Sequence, residues 1–326
     1  MADPHAVAVR LAERTNADLL ALFARLGTAD HPRGVVLSAY RMAHRALRGA
    51  LGDRFTVDEV LAELRRLLGP ALTAQLRRAY EQGQRQAAAT LDAYGIEAIA
   101  DTSPPAAVAE AERALGLVVE GQAQAVRASV AARIATEALL LGDDTRLGVL
   151  TPQPVVREGA RWLTALAAAG FGAVVERSVP EPDTWRKQAI ATVDERTTDC
   201  CLRVHGQVRP LDGAFHLVGT PRFADDLPGP PFHWHCRSVV ALVQADEADD
   251  PLSQDMREAA RLELAAREEQ AAEVRALQER LVRLGAEPDA RTRKDDSREV
   301  TALRRALLAA KRPREVHPSS ATSRVA

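Results

Sequence analysis

Apolar residues recur at helical spacing through most of the first 180 positions of the chain. Leu19, Leu22, Phe23 and Leu26 form one such run, and a second contains Leu37, Tyr40, Ala43 and Leu47. A period of 3.6 residues places the members of each run on one face of a helix. The pattern therefore predicts a series of amphipathic helices that share a core.

Turn and capping residues divide this region into segments. Thr56 and Glu59 have the spacing of a capping box, in which each side chain satisfies backbone N–H groups at a helix start. The helix that begins there is predicted to end at Gly69-Pro70, because proline disrupts a helix interior. The sequence Thr-Ser-Pro-Pro at 102–105 predicts a linker or a sharp turn.

The pattern changes after Val179-Pro-Glu-Pro182. From Val193 to Val243 it indicates short strands and turns instead of helices. Asp212-Gly213 predicts a hairpin turn between residues 207–209 and residues 215–218. The apolar run from Ser238 to Val243 predicts a strand that closes this segment.

The last part of the chain returns to a helical pattern. Val274, Leu277, Leu281 and Leu284 follow heptad spacing, which predicts contact with a partner helix. A locally basic, partly disordered tail follows. We therefore predict a mainly α protein with three regions. They are a helical region (1–182), a small α+β Cys/His module (183–247) and a helical C-terminal arm (248–326).

Composition narrows the classes of function. Aromatic residues make up only 4% of the 326 positions, so the core is expected to consist of Ala, Leu and Val in packed helices. The formal net charge of −2 gives no overall attraction to nucleic acid, so DNA contact would have to be local, for example through the basic tail. We expect no membrane span and no signal peptide, and hence a cytoplasmic protein.

All three cysteines and four histidines lie in the module. Cys201 and His205 form one pair at short spacing, and His233 and Cys236 form a second about 28 residues later. Three interpretations remain open. The four side chains bind a metal such as zinc, which takes four N or S ligands; Cys201 and Cys236 form a disulfide; or the residues only pack. Cys200 and His235 are alternative ligands beside these pairs.

The module also contains charged residues of the kinds that enzymes use. Asp194, Glu195 and Arg196 could supply acid and base groups to a cysteine nucleophile. No recognisable nucleophile motif accompanies them, and we predict no catalytic residue. The simpler interpretation is structural, with Arg196 paired to a carboxylate and Thr197 capping a turn.

Two prolines precede the second Cys/His pair. Pro230 and Pro231 restrict the backbone immediately before His233, which favours a rigid presentation of His233 and Cys236.

Taken together, these motifs resemble the Mu F-like family of phage head morphogenesis (minor head) proteins. The resemblance covers about 60 residues: the run WRKQAIATVDERT, then Cys201, the His205-Gly206 step and the closing PPFHWHCR. Cys200 and His235 lie outside this pattern. The signature positions outside the Cys/His set are Trp185, Asp194, Glu195, Arg196, Thr197, Gly206, Pro230, Pro231 and Arg237.

The resemblance implies a minor structural protein of a tailed phage or prophage. Such a protein would associate with the portal protein and with capsid or scaffold proteins, and would act in head assembly or DNA delivery. It would lie in the head interior or at the portal vertex, after assembly in the bacterial cytoplasm. Region 1–182 would contact the portal or capsid, because broad Ala/Leu faces suit partner helices.

Two alternatives belong to other classes of function. One is a zinc-dependent DNA-binding module with a positive face around Arg203, Arg209, Arg222 and Arg237. The other is an enzyme or toxin domain built on the same module.

Overall fold

The computed structural model describes residues 3–27, 34–50, 57–100, 106–135, 152–288 and 297–312. The fold is mainly helical with one small sheet region, as the sequence predicts. None of the helices described is both long enough and apolar enough to span a membrane. In chain order, the elements are α1 Pro4–Leu26, α2 Val35–Ala50, α3 Val57–Ala93, α4 Ala106–Ala135, α5 Gln153–Ser178, β1 Trp185–Ile190, α6 Asp199–Val204, β2 Val208–Pro210, β3 Phe215–His216, β4 Asp226–Leu227, β5 Val239–Gln244, α7 Pro251–Arg283 and α8 Arg298–Ala310.

Helices α3 and α5 form the most extensive helix pair of the fold. Gly83 of α3 and Gly170 of α5 lie where the two backbones meet. A Cβ atom at Gly83 would overlap the carbonyl of Ala167, and one at Gly170 would overlap the carbonyl of Tyr80. The two helices can approach this closely because neither has a side chain at the crossing point.

Helix α3 does not end at Gly69-Pro70, so that prediction was wrong. The helix runs from Val57 to Ala93 with Pro70 inside it. Leu64, Leu68, Leu72 and Leu76 are buried on both sides of the proline. Burial of this continuous face stabilises the helix by more than the roughly 3 kcal/mol that an internal proline costs. The predicted capping box at Thr56 and the linker at 102–105 lie outside the described residues.

The main sheet has three antiparallel strands in the order β2-β1-β5. Strand β1 pairs with β5 from Trp185–Gln244 to Ile190–Val239, which confirms the predicted closing strand. The predicted hairpin at Asp212-Gly213 was wrong. Strand β2 pairs with β1, whereas β3 pairs with β4 in a separate two-stranded sheet. A turn does occur there, since the Gly213 N–H donates to the Pro210 carbonyl, but it connects two different sheets.

The sheet packs directly on the N-terminal helices. One core cluster combines Ile190, Val239 and Ala241 of the sheet with buried residues of α1 to α5. A second combines Leu91 of α3 and Phe171 of α5 with the module's own interior, including all three cysteines. The boundary near residue 182 therefore separates two kinds of secondary structure, and each of the two core clusters contains residues from both sides of it.

Strand β1 has polar side chains that are buried and paired over long distances in the sequence. Gln188 accepts from His5 Nε2 at 2.9 Å and donates to Ser253 Oγ at 2.9 Å. His5 Nδ1 lies 2.7 Å from Asp250 at the start of α7. Buried polar groups require such partners. This network attaches α1 and α7 to the central strand.

Helix α7 continues beyond the module and pairs with α8. Val274, Leu277 and Leu281 pack against the α8 residues Val300, Leu303 and Leu307 in a small separate cluster. The partner helix that the heptad pattern predicts is therefore in the same chain. The distal part of the basic tail, residues 313–326, lies outside the described residues.

Candidate metal centre

Two short segments bring the cysteines and His233 together. Cys200 and Cys201 lie in the one-turn helix α6, which begins after Thr198. His233 and Cys236 lie in the loop that leads into β5. All four side chains are buried, with exposed fractions of 0% for Cys200, 2% for Cys201, 5% for His233 and 0% for Cys236. The site is thus formed by residues about 35 positions apart in the chain and closed from solvent.

The distances between these atoms suit a single ion. Cys201 Sγ lies 3.1 Å from His233 Nε2 and 3.8 Å from Cys236 Sγ. The ligand atoms of Cys200, Cys201 and His233 all lie within 4.8 Å of one another. Tetrahedral zinc with bonds of about 2.3 Å to sulfur separates two sulfur ligands by about 3.8 Å. Cys200, Cys201 and His233 could therefore hold a metal ion, with Cys236 touching the group through Cys201.

The orientation of His233 favours coordination. Its Nδ1 atom is hydrogen-bonded to the Trp234 carbonyl, which leaves Nε2 directed at the sulfur atoms. Nε2 also lies 2.9 Å from the Thr198 hydroxyl. A backbone carbonyl on the far nitrogen is the usual device that fixes the tautomer of a metal-binding histidine.

The thiol pKa values reflect close packing of the three sulfurs. Burial raises the pKa of Cys236, but hydrogen bonds from Cys201 and His233 outweigh it and hold that pKa well below its usual range. The hydrogen bond with Cys201 lowers the pKa of Cys200 to about 7. The corresponding bonds to Cys200 and Cys236 raise the pKa of Cys201. The cluster thus readily provides thiolate, the form of cysteine that binds metals.

His205 is not part of this cluster, although its spacing suggested a ligand. It lies at the end of α6, where its Nδ1 accepts the Ala191 N–H at 3.0 Å. Burial lowers the pKa of His205 to about 4, so the ring is neutral. Cys200 occupies the ligand position expected for His205. Sequence spacing could not show whether Cys200 or His205 is the candidate ligand, because both lie close to Cys201 in the chain. His235, the other alternative ligand, is exposed.

The signature residues around the cluster form a second connection between the same two segments. Arg237 donates to both carboxylate oxygens of Asp194, at 2.6 and 2.9 Å, and to the Thr197 hydroxyl at 3.0 Å. Thr197 also bonds to Asp194 and to the Thr192 carbonyl, which confirms its turn-capping role. Burial raises the pKa of Asp194, but the bonds from Arg237 and Thr197 outweigh it and lower that pKa below its usual range.

Arg196 does not make the predicted bidentate pair. Its backbone N–H donates to Asp194 at 3.0 Å, while its side chain and that of Glu195 are exposed. Arg237 makes the bidentate contact instead. The sequence alone could not choose between the two arginines, because the Asp194–Arg237 pair forms only once the chain has folded across 43 positions.

Sequence reasoning missed the contribution of Arg267. This α7 side chain donates to the carbonyls of Thr197 at 2.6 Å and Asp194 at 2.8 Å, and to Glu263 at 2.7 Å. Nothing in a helical run of Ala, Arg and Glu distinguishes one arginine from its neighbours. Arg267 anchors the C-terminal arm to the signature loop.

The remaining signature residues have structural positions. Trp185 is buried and packs edge-to-face on Tyr94 of α3 with ring centroids 4.9 Å apart. Gly206 has a φ of +74°, which favours glycine. The Pro230–Pro231 peptide bond is cis, in the loop that delivers His233.

Trp234, between His233 and Cys236, faces helix α5. Its ring lies under the Arg157 guanidinium at 4.7 Å and against Phe223 at 5.0 Å. Cation–π contacts of this kind tie the loop to α5.

Three of the four arginines of the predicted DNA-binding face have carboxylate partners. Arg237 pairs with Asp194, Arg222 with Asp225 at 2.6 Å and Arg203 with Glu268 at 3.5 Å. Arg209 donates to the carbonyls of Val208 and Ala214. Pairing reduces the positive potential that a phosphate backbone would meet on this face.

Searches with this chain against protein-family models, curated proteins and solved structures each returned no match.

Proposed function

We propose that the chain is a minor structural protein of a tailed-phage head, which binds the portal vertex and acts in head assembly or DNA delivery. The observation that supports this function is the connection between the two halves of the Mu F-like signature. Asp194 from the first half holds Arg237 from the second, and Cys201 contacts His233 and Cys236 across the same gap. The residues that resemble the family thus depend on one another for a single structural task.

The burial of the cluster favours an architectural role over a catalytic one. Cys201 and Cys236 are at most 2% exposed, and their sulfur atoms contact each other at 3.8 Å. A nucleophile must reach a substrate, whereas a structural centre is closed on all sides. In this proposal the module is a rigid support, and the helical region 1–182 contacts the portal or capsid.

Binding to the portal protein tests the proposal directly. The full chain is immobilised and offered the portal protein encoded in the same phage or prophage genome, without DNA. We expect retention of the portal protein. The proposal fails if the portal is not retained and the chain is missing from purified particles.

Two exposed leucines allow the contact region to be located. Leu117 on α4 is 72% exposed and Leu308 on α8 is 64% exposed. If region 1–182 makes the contact, Leu117→Asp should weaken portal binding, while the matched Leu308→Asp should not. The opposite result would assign the contact to the C-terminal arm. Neither leucine is in the core, so both variants should fold.

We further propose that the centre binds zinc through Cys200, Cys201, His233 and Cys236. Bound zinc would act as a structural cross-link between α6 and the loop before β5, with three thiolates and one imidazole as ligands. Zinc and cobalt(II) share such sites, and cobalt–thiolate bonds absorb in the near ultraviolet. Protein purified without added metal should contain about one zinc per chain, and cobalt substitution should give this absorption.

Single substitutions distinguish the proposed zinc ligands from nearby histidines that are not in the cluster. Cys201→Ser should lose the metal and the cobalt–thiolate absorption. The control variants His205→Asn and His235→Asn should retain both, because neither ring belongs to the cluster. A chain that contains no zinc and takes up no cobalt would refute the metal proposal and leave packing as the role of the cysteines.

A further inference from the structure

The three sulfur atoms of the centre are not equivalent. Cys201 Sγ and Cys236 Sγ lie 3.8 Å apart, and both thiols are free. Cys200 Sγ donates instead to the Pro221 carbonyl at 2.6 Å and lies 3.4 Å from the Thr198 hydroxyl. Cys200 also contacts Cys201, but its sulfur is engaged by the Pro221 carbonyl and the Thr198 hydroxyl. Cys201 and Cys236 therefore form the pair of thiols positioned to react with each other.

We infer that the centre is redox-convertible: hydroperoxide oxidants convert Cys201 and Cys236 to a disulfide, release the metal and leave Cys200 as a free thiol. The metal-release half of this inference rests on the proposed zinc site. The disulfide half rests only on the placement of the sulfurs.

Backbone geometry excludes the competing pair within α6. Cys200 and Cys201 are adjacent, so their Cα atoms are about 3.8 Å apart across a trans peptide. Disulfides usually join Cα atoms about 4.4–6.8 Å apart. Cys201 and Cys236 lie 35 positions apart, on two separate segments whose sulfur atoms are in contact. Their thiols need to approach by less than 2 Å to reach the S–S bond length of about 2.05 Å.

The reaction balances in two steps. Local opening of the loop before β5 exposes a thiolate of the pair, which attacks the hydroperoxide. This gives a sulfenic acid and releases an alcohol, or water in the case of hydrogen peroxide. The partner thiol then displaces water from the sulfenic acid and forms the disulfide. Two sulfurs lose two electrons in total, and one hydroperoxide is reduced. Cys200 and His233 remain as only two ligands, too few to retain zinc.

The conversion replaces one cross-link by another between the same segments. In both states, α6 is held to the loop that precedes β5. Asp194 and Arg237 join these segments independently of the sulfurs. The module is thus expected to keep its fold when it passes from a reducing cytoplasm to an oxidising exterior, where a phage particle spends its extracellular life.

Peroxide titration of the full, zinc-loaded chain tests the inference. Zinc release is followed with a chromogenic chelator. The disulfide is mapped by mass spectrometry of peptides, after free thiols are alkylated in denaturant. We expect one zinc released per disulfide formed, a Cys201–Cys236 linkage, an alkylated Cys200 and reversal by dithiothreitol. The circular dichroism spectrum should not change.

Two serine variants serve as controls. Cys200→Ser should still form the Cys201–Cys236 disulfide, whereas Cys236→Ser should form no intramolecular disulfide. A linkage that includes Cys200, or oxidation to sulfinic acid without a disulfide, overturns the inference. Retention of all three thiols at peroxide levels that oxidise glutathione also overturns it.

The same experiment separates the two proposals. A chain that carries no zinc but forms the Cys201–Cys236 disulfide refutes the metal site and supports the thiol pairing. A chain that binds zinc but never forms this disulfide supports the metal site and refutes the conversion.

Discussion

The helical region and the Cys/His module are held together in different ways. Around α3 and α5 the core consists of many Ala, Leu and Val contacts, and the crossing depends on two positions without side chains. The module also has an apolar interior, but there specific polar and sulfur contacts join segments far apart in the chain.

The difference indicates where each region tolerates change. An interior of many similar apolar contacts should accept substitutions that conserve volume. The polar contacts of the module should each matter more, because every removed partner leaves a buried group unsatisfied. In the helical region, the positions that should not tolerate substitution are those where two backbones are in close contact.

The largest effect is expected at such a point. Gly170→Ala places a Cβ atom against the Tyr80 carbonyl, so the α3–α5 crossing must open. We expect a loss of more than about 3 kcal/mol in the free energy of unfolding, above the roughly 1–3 kcal/mol typical of overpacking, because here the backbone itself must move. Chemical denaturation of the purified variant measures this loss.

The control is two residues away in the same helix. Gly172 has open space around its Cα, so Gly172→Ala should stabilise the protein by about 0.5–1 kcal/mol. Equal effects of the two substitutions would contradict the close crossing.

The next largest effect is pH-dependent and belongs to the module. Burial lowers the pKa of His205 from 6.5 to about 4. Because the unfolded state binds this proton more tightly, the stabilisation is complete above about pH 6.5. It is lost as the pH falls toward 4, by about 3 kcal/mol in total.

Denaturation across this pH range should show the slope in the natural chain and not in His205→Asn, whose side-chain carbonyl can still accept the Ala191 N–H. His216→Asn, at an exposed ring, should retain the slope. A slope unchanged in His205→Asn would assign the acid sensitivity to other groups.

A smaller effect is expected where the C-terminal arm meets the module. Arg267→Gln removes charged hydrogen bonds to the Thr197 and Asp194 carbonyls, and we expect a loss of about 1–3 kcal/mol. Thermal denaturation compares it with Arg261→Gln. Among the described residues, Arg261 pairs with Glu258, one turn away on the exposed face of α7. Its substitution should have a smaller effect, because water screens this pair.

Sequence patterns predicted the helical class, the closing strand and the gathering of cysteines, because periodicity and composition encode them locally. They failed at Pro70, where burial of a long apolar face outweighs the local cost of proline. They also failed to identify β1 as a strand. Lys187 and Gln188 interrupt any alternation of apolar and polar residues, and their partners at Pro228, His5 and Ser253 are visible only in the folded chain.

The candidate site divides in the same way. The sequence identified Cys201, His233 and Cys236 as candidate site residues. They lie in Cys/His pairs at short spacing, and two prolines precede the second pair. The sequence pointed to His205 and Arg196, whereas the structure places Cys200 and Arg237 at these contacts. The difference depends on which side of a turn each residue faces. Such choices are made by packing across 35 to 43 positions, so no local pattern contains them.

The long reach of the Gln188 contacts has a consequence for synthesis on the ribosome. His5 precedes Gln188 by 183 positions, and Ser253 follows it by 65. At about 5–20 residues per second, Ser253 is added about 3–13 seconds after Gln188. During that interval the amide has only its earlier partner. We therefore expect chains that end before α7 to unfold more readily than longer ones, because the buried Gln188 amide lacks its second partner.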